Sequence, residues 1–171
     1  SLTELDLSGS NAEKVTNMME MFSDCNALSI LNLSGFKTGA LTDMHSLFIN
    51  CHSLKNLDLS GFNTEKVTNM QYLFTSCYSL ESLDLSGFNT ENVTSMIAMF
   101  YNCSSLRSLD LSSFNTRKVT KMQRMFDKCT NLESIDLSSF DTENMGYMTG
   151  MFSSCTVSYT HLRAHETEAD L

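Results

Sequence analysis

The sequence predicts an α/β solenoid, a stack of like rungs with short parallel strands on the concave side and short helices on the convex side. Two observations predict it. First, one spacing governs the whole chain: Cys25, Cys51, Cys77, Cys103, Cys129 and Cys155 recur every 26 residues. Phe22, Phe48, Phe74, Phe100, Phe126 and Phe152 keep the same step, as do Met18, Met44, Met70, Met96, Met122 and Met148. Second, the hydrophobic period changes inside each unit, from two to between three and four.

The unit at Leu83 shows each element in order. Leu83, Asp84, Leu85 and Ser86 alternate apolar and polar, as a strand with inward leucines does. Gly87 permits a turn, and Asn89 and Thr90 offer oxygens suited to a helix N-cap. Val93, Met96, Met99, Phe100 and Cys103 then step by three and four, which predicts a short helix. Leu106, like Leu2, Leu28, Leu54, Leu80 and Leu132, opens the next unit. A single rung buries too little to offset the entropy of ordering it, so each is stable only beside a copy of itself.

The chain has 171 residues and a net charge of −9, with 42% hydrophobic and 18% charged residues. This is a globular composition. The acidic balance argues against nucleic acid as a partner, because phosphate neutralisation needs clustered Lys and Arg. No apolar run is long enough for a membrane span, so no membrane insertion by this segment is expected. The chain does not begin with Met. It opens inside a rung, and both ends read as truncated, so self-association through uncapped ends is expected.

The pattern LxxLDLSGFNTxxVTxMxxMFxxC, from Leu2 to Cys155, resembles the 26-residue repeat of the BspA-like bacterial surface proteins, within the leucine-rich-repeat class. That resemblance implies a right-handed leucine-rich-repeat-like solenoid. It also implies extracellular or cell-surface display and adhesion to host or matrix proteins. The pattern departs from the common leucine-rich repeat, which carries Asn or Cys where Phe62, Phe88, Phe114 and Phe140 stand here. An aromatic spine therefore replaces a buried Asn ladder. The first rung departs again, with Ser10 and Ala12 where Phe and Thr are expected.

The repeat fails after Cys155, where Ser158 occupies a Leu position. The organisation expected is a six-rung solenoid over 1–156 and a non-native, disordered tail over 157–171. The string VSYTHLRAHET, from Val157 to Thr167, resembles a translated sequencing-library adapter. The alternative is a genuine C-terminal cap. On the adapter reading, His161 and His165 are not candidate ligands.

No enzymatic activity is expected. The sequence has no nucleophile motif, no Gly-rich phosphate loop, and no paired acid and base outside the repeat. The cysteines form no CxxC pair and no Cys/His cluster, so neither a metal nor a cofactor is indicated. They could bridge adjacent rungs as disulfides, but the expected reading is a buried thiol ladder. His45 and His52 read as plain surface residues.

The candidate binding face lies on the concave strands. Asp6, Asn32, Asp58, Asp84, Asp110 and Asp136 sit between inward leucines and so face outward, beside a row of serines from Ser8 to Ser138. Stacked carboxylates repel, which would raise the titration of some. Lys55, Glu81, Arg107 and Glu133 change from rung to rung while the scaffold does not. The function expected is protein binding, with a structural spacer or an intracellular interaction scaffold as the alternative.

Overall fold

A computed structural model describes residues 2–156 and the backbone of Ser158 and Tyr159. Four of the predicted strands form, β1 (Glu4–Asp6), β2 (Ile30–Asn32), β3 (Ser108–Asp110) and β4 (Ser134–Asp136), those expected at Leu57 and Leu83 do not, and β5 (Ser158–Tyr159) forms where the repeat was expected to have failed. All pairing is parallel, in two sheets ordered β1-β2 and β3-β4-β5. Glu4 faces Ile30 and Ser108 faces Ser134, each one 26-residue step apart. β5 lies opposite β4 with Ser134 facing Ser158, a step two residues shorter. Otherwise the expectation for residues 157–171 falls outside the described residues.

The helices are not there. Among the described residues no α-helix forms, and the segment from Met96 to Cys103 is a run of tight turns instead. Met99 N–H donates to the Met96 carbonyl at 3.2 Å, and Cys103 N–H to the Phe100 carbonyl at 3.1 Å. Ala98 and Asn102, third in each turn, have φ of 50° and 60°. These are type II turns, two in succession. The N–H groups of Met96, Ala98, Phe100 and Asn102 leave the rung altogether. They donate to Lys121, Gln123, Met125 and Asp127 of the next rung at 2.8–2.9 Å.

The physical reason is spacing. Strands stack about 4.8 Å apart, whereas side-by-side helices need about 8–10 Å. The Phe column fixes which spacing holds through the core. From Phe22 to Phe152 the rings stack with centroids 5.3–5.7 Å apart and planes within 14° of parallel. A helix cannot fit that interval, and turns that share hydrogen bonds with the next rung can. The same inward residues serve both conformations. Val93, Met96, Met99, Phe100 and Cys103 are all fully buried, as a helix would have buried them.

Asn89 and Thr90 do not cap a helix. Asn89 Oδ1 accepts from Glu91 N–H two residues on, at 3.0 Å. Thr90 bridges rungs: its hydroxyl donates to the Asn115 carbonyl at 3.0 Å and accepts from Asn115 N–H at 2.8 Å. Thr38, Thr64 and Thr116 repeat this bridge to Asn63, Asn89 and Asp141. All four threonines are almost completely buried. A threonine ladder thus supplies the buried hydrogen bonds, beside the buried Phe36, Phe62, Phe88, Phe114 and Phe140.

One backbone approach requires glycine: a Cβ on Gly61 would lie 2.5 Å from the Phe36 carbonyl oxygen. Eleven described residues other than glycine also hold positive φ, Glu20 at 58° among them. Gly150 fills the equivalent place in rung six, at 67°. A left-handed residue with a Cβ costs about 1–2 kcal/mol.

Two outcomes follow. Thr64→Val should destabilise the fold by about 1–3 kcal/mol, because both polar groups of Asn89 lose their buried partner. Glu20→Gly should stabilise it by up to about 1 kcal/mol, as relief of strain exceeds the entropy of glycine. Urea denaturation of each variant measures both.

Candidate functional site

The strand face is built by the alternation itself. Leu31, Leu57, Leu83, Leu109 and Ile135 turn inward and are buried, which turns their neighbours outward. Asp6, Asp58, Asp84, Asp110 and Asp136 are exposed, and Asn32 is half-buried. Lys55, Glu81, Arg107 and Glu133 are exposed in the adjoining column. Arg107 and Glu133 approach to 3.7 Å in an ion pair open to solvent. The six residues that follow the inward positions therefore share the outward side of the strand segments, and the other four are exposed just before those segments. Among the described residues this face is backed by turns rather than by helices.

The acidic column has a structural task. Asp6 Oδ1 accepts from Ser8 N–H at 2.7 Å, and Asp58, Asp84, Asp110 and Asp136 do the same to Ser60, Ser86, Ser112 and Ser138 at 2.8–2.9 Å. Asn32 makes the equivalent bond to Ser34 at 3.0 Å. Each side chain thus closes the turn that ends its strand. The expected upward titration is overturned. Hydrogen bonds from the Ser hydroxyl and N–H hold Asp6 below the ordinary carboxylate value, and those from the Ser N–H and hydroxyl do so for Asp58, Asp84 and Asp110. Repulsion from Asp84 on Asp58 opposes this and is smaller.

The middle of the face differs from its ends. Residues 56–58 and 82–84 run in line with β2 and β3 but join them by no ladder hydrogen bond. The main-chain bonds there are long ones, Glu81 N–H to Lys55 O and Arg107 N–H to Glu81 O, both 3.5 Å. A shallow groove of about 590 Å³ crosses this region, lined by Asn32, Asn56, Asp58, Ser82 and Asp84 among others.

The cysteines form a ladder of free thiols. Five thiols donate to the carbonyl of a Phe in the rung before: Cys51 to Phe22, Cys77 to Phe48, Cys103 to Phe74 and Cys129 to Phe100 at 3.1–3.2 Å, and Cys155 to Phe126 at 2.7 Å. They are donors as well as small apolar groups. Burial pushes Cys51 and Cys103 up to about 12, and Cys77 well above its ordinary value. Low thiolate content makes these thiols poor nucleophiles.

His45 and His52 are half-buried rather than plain surface residues. His45 meets the Tyr72 ring edge-on at 5.5 Å, and His52 stacks on Tyr78 at 4.4 Å. Among the described residues no group of His, Cys, Asp or Glu is placed to hold a metal ion. Nor is any helix there long and apolar enough to cross a membrane.

Stability should depend on pH at both extremes. The carboxylates are held below their unfolded value of about 3.9, so their contribution is present above that pH and lost as pH falls below it. The thiols are held above their unfolded value of about 8.5, so their contribution is present below it and lost as pH rises from there toward 12. Urea midpoints measured across pH should fall at both ends and stay level between them.

A solved structure similar to this chain is that of a leucine-rich repeat protein from Bacteroides ovatus ATCC 8483, at 20% identity and a TM-score of 0.43. The match covers 78% of this chain and 37% of that one, so the chain spans well under half of that structure. Comparison with curated proteins gives no match. The family model described as "Mycoplasma protein of unknown function, DUF285" matches residues 2–102 and again 79–169. By that match over most of its length, the chain belongs to the DUF285 family.

Proposed function

We propose that this chain is a non-enzymatic protein-binding solenoid displayed outside the cell, with adhesion to host or matrix proteins as its role and the strand face as its binding surface. The observation that carries the reading is the opened middle of that face. There, exposed Asp58 and Asp84 flank main-chain groups that make no ladder bonds. An extended basic segment of a partner protein fits both features. Its Lys and Arg meet the carboxylates, and its extended chain lies along the shallow groove between Asn32 and Asp84. Lys55, Glu81, Arg107 and Glu133 alternate in sign along the face, which supplies discrimination between partners.

The near-identity of LDLSGFNT at Leu57 and Leu83 favours a second reading, in which the rungs serve as a spacer or an intracellular scaffold. Long-read sequencing of the locus separates the two. A secretion signal and wall anchor support display, and a short frame with neither supports the scaffold. The same reads test the adapter reading of Val157 to Thr167. The family match continues to residue 169, which favours a genuine C-terminal segment there.

Asn32 already shows that Asn can close the strand turn. The triple variant Asp58→Asn, Asp84→Asn, Asp110→Asn should therefore keep the fold while losing about tenfold in affinity for a basic partner. Binding to immobilised matrix proteins, read beside circular dichroism, checks this. Unchanged binding with an unchanged fold would leave the carboxylates only their turn-closing task.

A further inference from the structure

Rung five differs from the others in charge. The chain has 11 Lys and Arg, and Arg107, Arg117, Lys118, Lys121, Arg124 and Lys128 all belong to this rung and are exposed. Arg107 stands on the strand face. The other five follow the turn side in chain order, away from the acidic column.

Their contacts hold them in place. Arg124 Nε lies 3.1 Å from Asp127 Oδ2, and the Asp127 side chain is only 3% exposed. The Arg124 guanidinium carbon and Lys128 Nζ lie 5.5 and 5.2 Å from the centre of the same Tyr101 ring. The hydrogen bond with Tyr101, and then the charge interaction with it, raise Lys128 above the ordinary lysine value, so it is charged at neutral pH. Lys118 Nζ donates to Asn92 Oδ1 at 2.7 Å. Arg117 is partly neutralised by Asp141 at 3.7 Å.

The neighbouring rungs place Glu91 and Glu143 beside Arg117 but no charge beside Lys121, Arg124 and Lys128. Ser95 and Tyr147 bridge to Lys121 on either side. Arg124 and Lys128 N–H groups bond to Thr149 and Ser153 of rung six, whose Gly150 and Ser154 add no charge. A Cβ on Gly150 would meet Arg124 Cγ at 3.7 Å, so glycine leaves that side chain room. On rung four the matching positions are Ala98 and Asn102.

We propose that Lys118, Lys121, Arg124 and Lys128 form a binding stripe for an acidic polysaccharide, whose sulfate or carboxylate groups are spaced along a sugar backbone. Four cations in one row suit a sparsely charged polymer. A nucleic acid is a poorer fit. Its charges are dense, with one per about 1.7 Å of duplex. Binding of single strands also relies on free aromatic faces, and two cations already occupy Tyr101.

The test is titration of the 171-residue chain at low salt with kappa-carrageenan, polygalacturonate and neutral dextran. Kappa-carrageenan or polygalacturonate should bind and neutral dextran should not; which of the two binds names the group recognised. The variant Lys118→Gln, Lys121→Gln, Lys128→Gln should lose about tenfold or more in affinity. The variant Lys14→Gln, Lys37→Gln, Lys66→Gln removes the same charge from exposed positions on rungs one to three and should stay within about twofold of the parent. Equal losses in both variants, or no binding by the parent, would overturn the site. Tighter binding of oligothymidylate or polyglutamate would overturn the assignment to a polysaccharide.

Discussion

Everything in this structure depends on main-chain hydrogen bonds that run from one rung to the next on the turn side. In rung four, N–H groups of alternate residues from Met96 to Asn102 point along the stack, and their acceptors lie one repeat further on. Those bonds fix the rise at the spacing of a β-sheet rather than that of packed helices. The stacked phenylalanines, the thiol ladder and the threonine bridges are all consequences of that rise. Each puts one side chain per rung within reach of its own copy. The first rung, covered on one side only, shows what a neighbour contributes. Met21 is 48% exposed there, whereas its equivalents Leu47, Leu73, Met99 and Met125 are fully buried.

The same arrangement divides the labour between inside and outside. Inward columns must match their neighbours above and below, so they repeat as Met, Phe, Cys and Thr. Outward columns meet only solvent or a partner, and there the rungs diverge. The strand face carries an acidic column that closes turns and a second column of alternating sign. The turn side of rung five carries the basic row. Charge thus varies from rung to rung on a scaffold whose inward columns repeat.

Much of this was legible in the sequence. The 26-residue period placed every inward column, and the leucine alternation placed β1 to β4 and the exposed acidic row, together with strands at Leu57 and Leu83 that do not pair. The helix was misread for a physical reason. Two consecutive type II turns repeat every four residues and turn Met96, Met99, Phe100 and Cys103 inward, which imitates the 3.6-residue period of a helix. The threonine ladder was visible as the column Thr38, Thr64, Thr90 and Thr116, but an Asn-Thr pair before an apolar run reads equally well as a cap. The direction of aspartate titration was encoded in the Asp-x-Ser spacing, which brings an N–H to each carboxylate. The opened middle of the strand face had no such signal, because rungs three and four carry Asn-Leu-Asp and Ser-Leu-Asp, the same residue types as the strands that pair.

The central claim is that the rungs are joined by shared main-chain bonds on the turn side and contain no helix. Far-ultraviolet circular dichroism of the 171-residue chain tests it most directly. The account predicts a spectrum of strand and turn without the double minimum of α-helix. A clear helical double minimum, with the intensity expected if the segments from Val93 to Cys103 and its equivalents were helical, would contradict it.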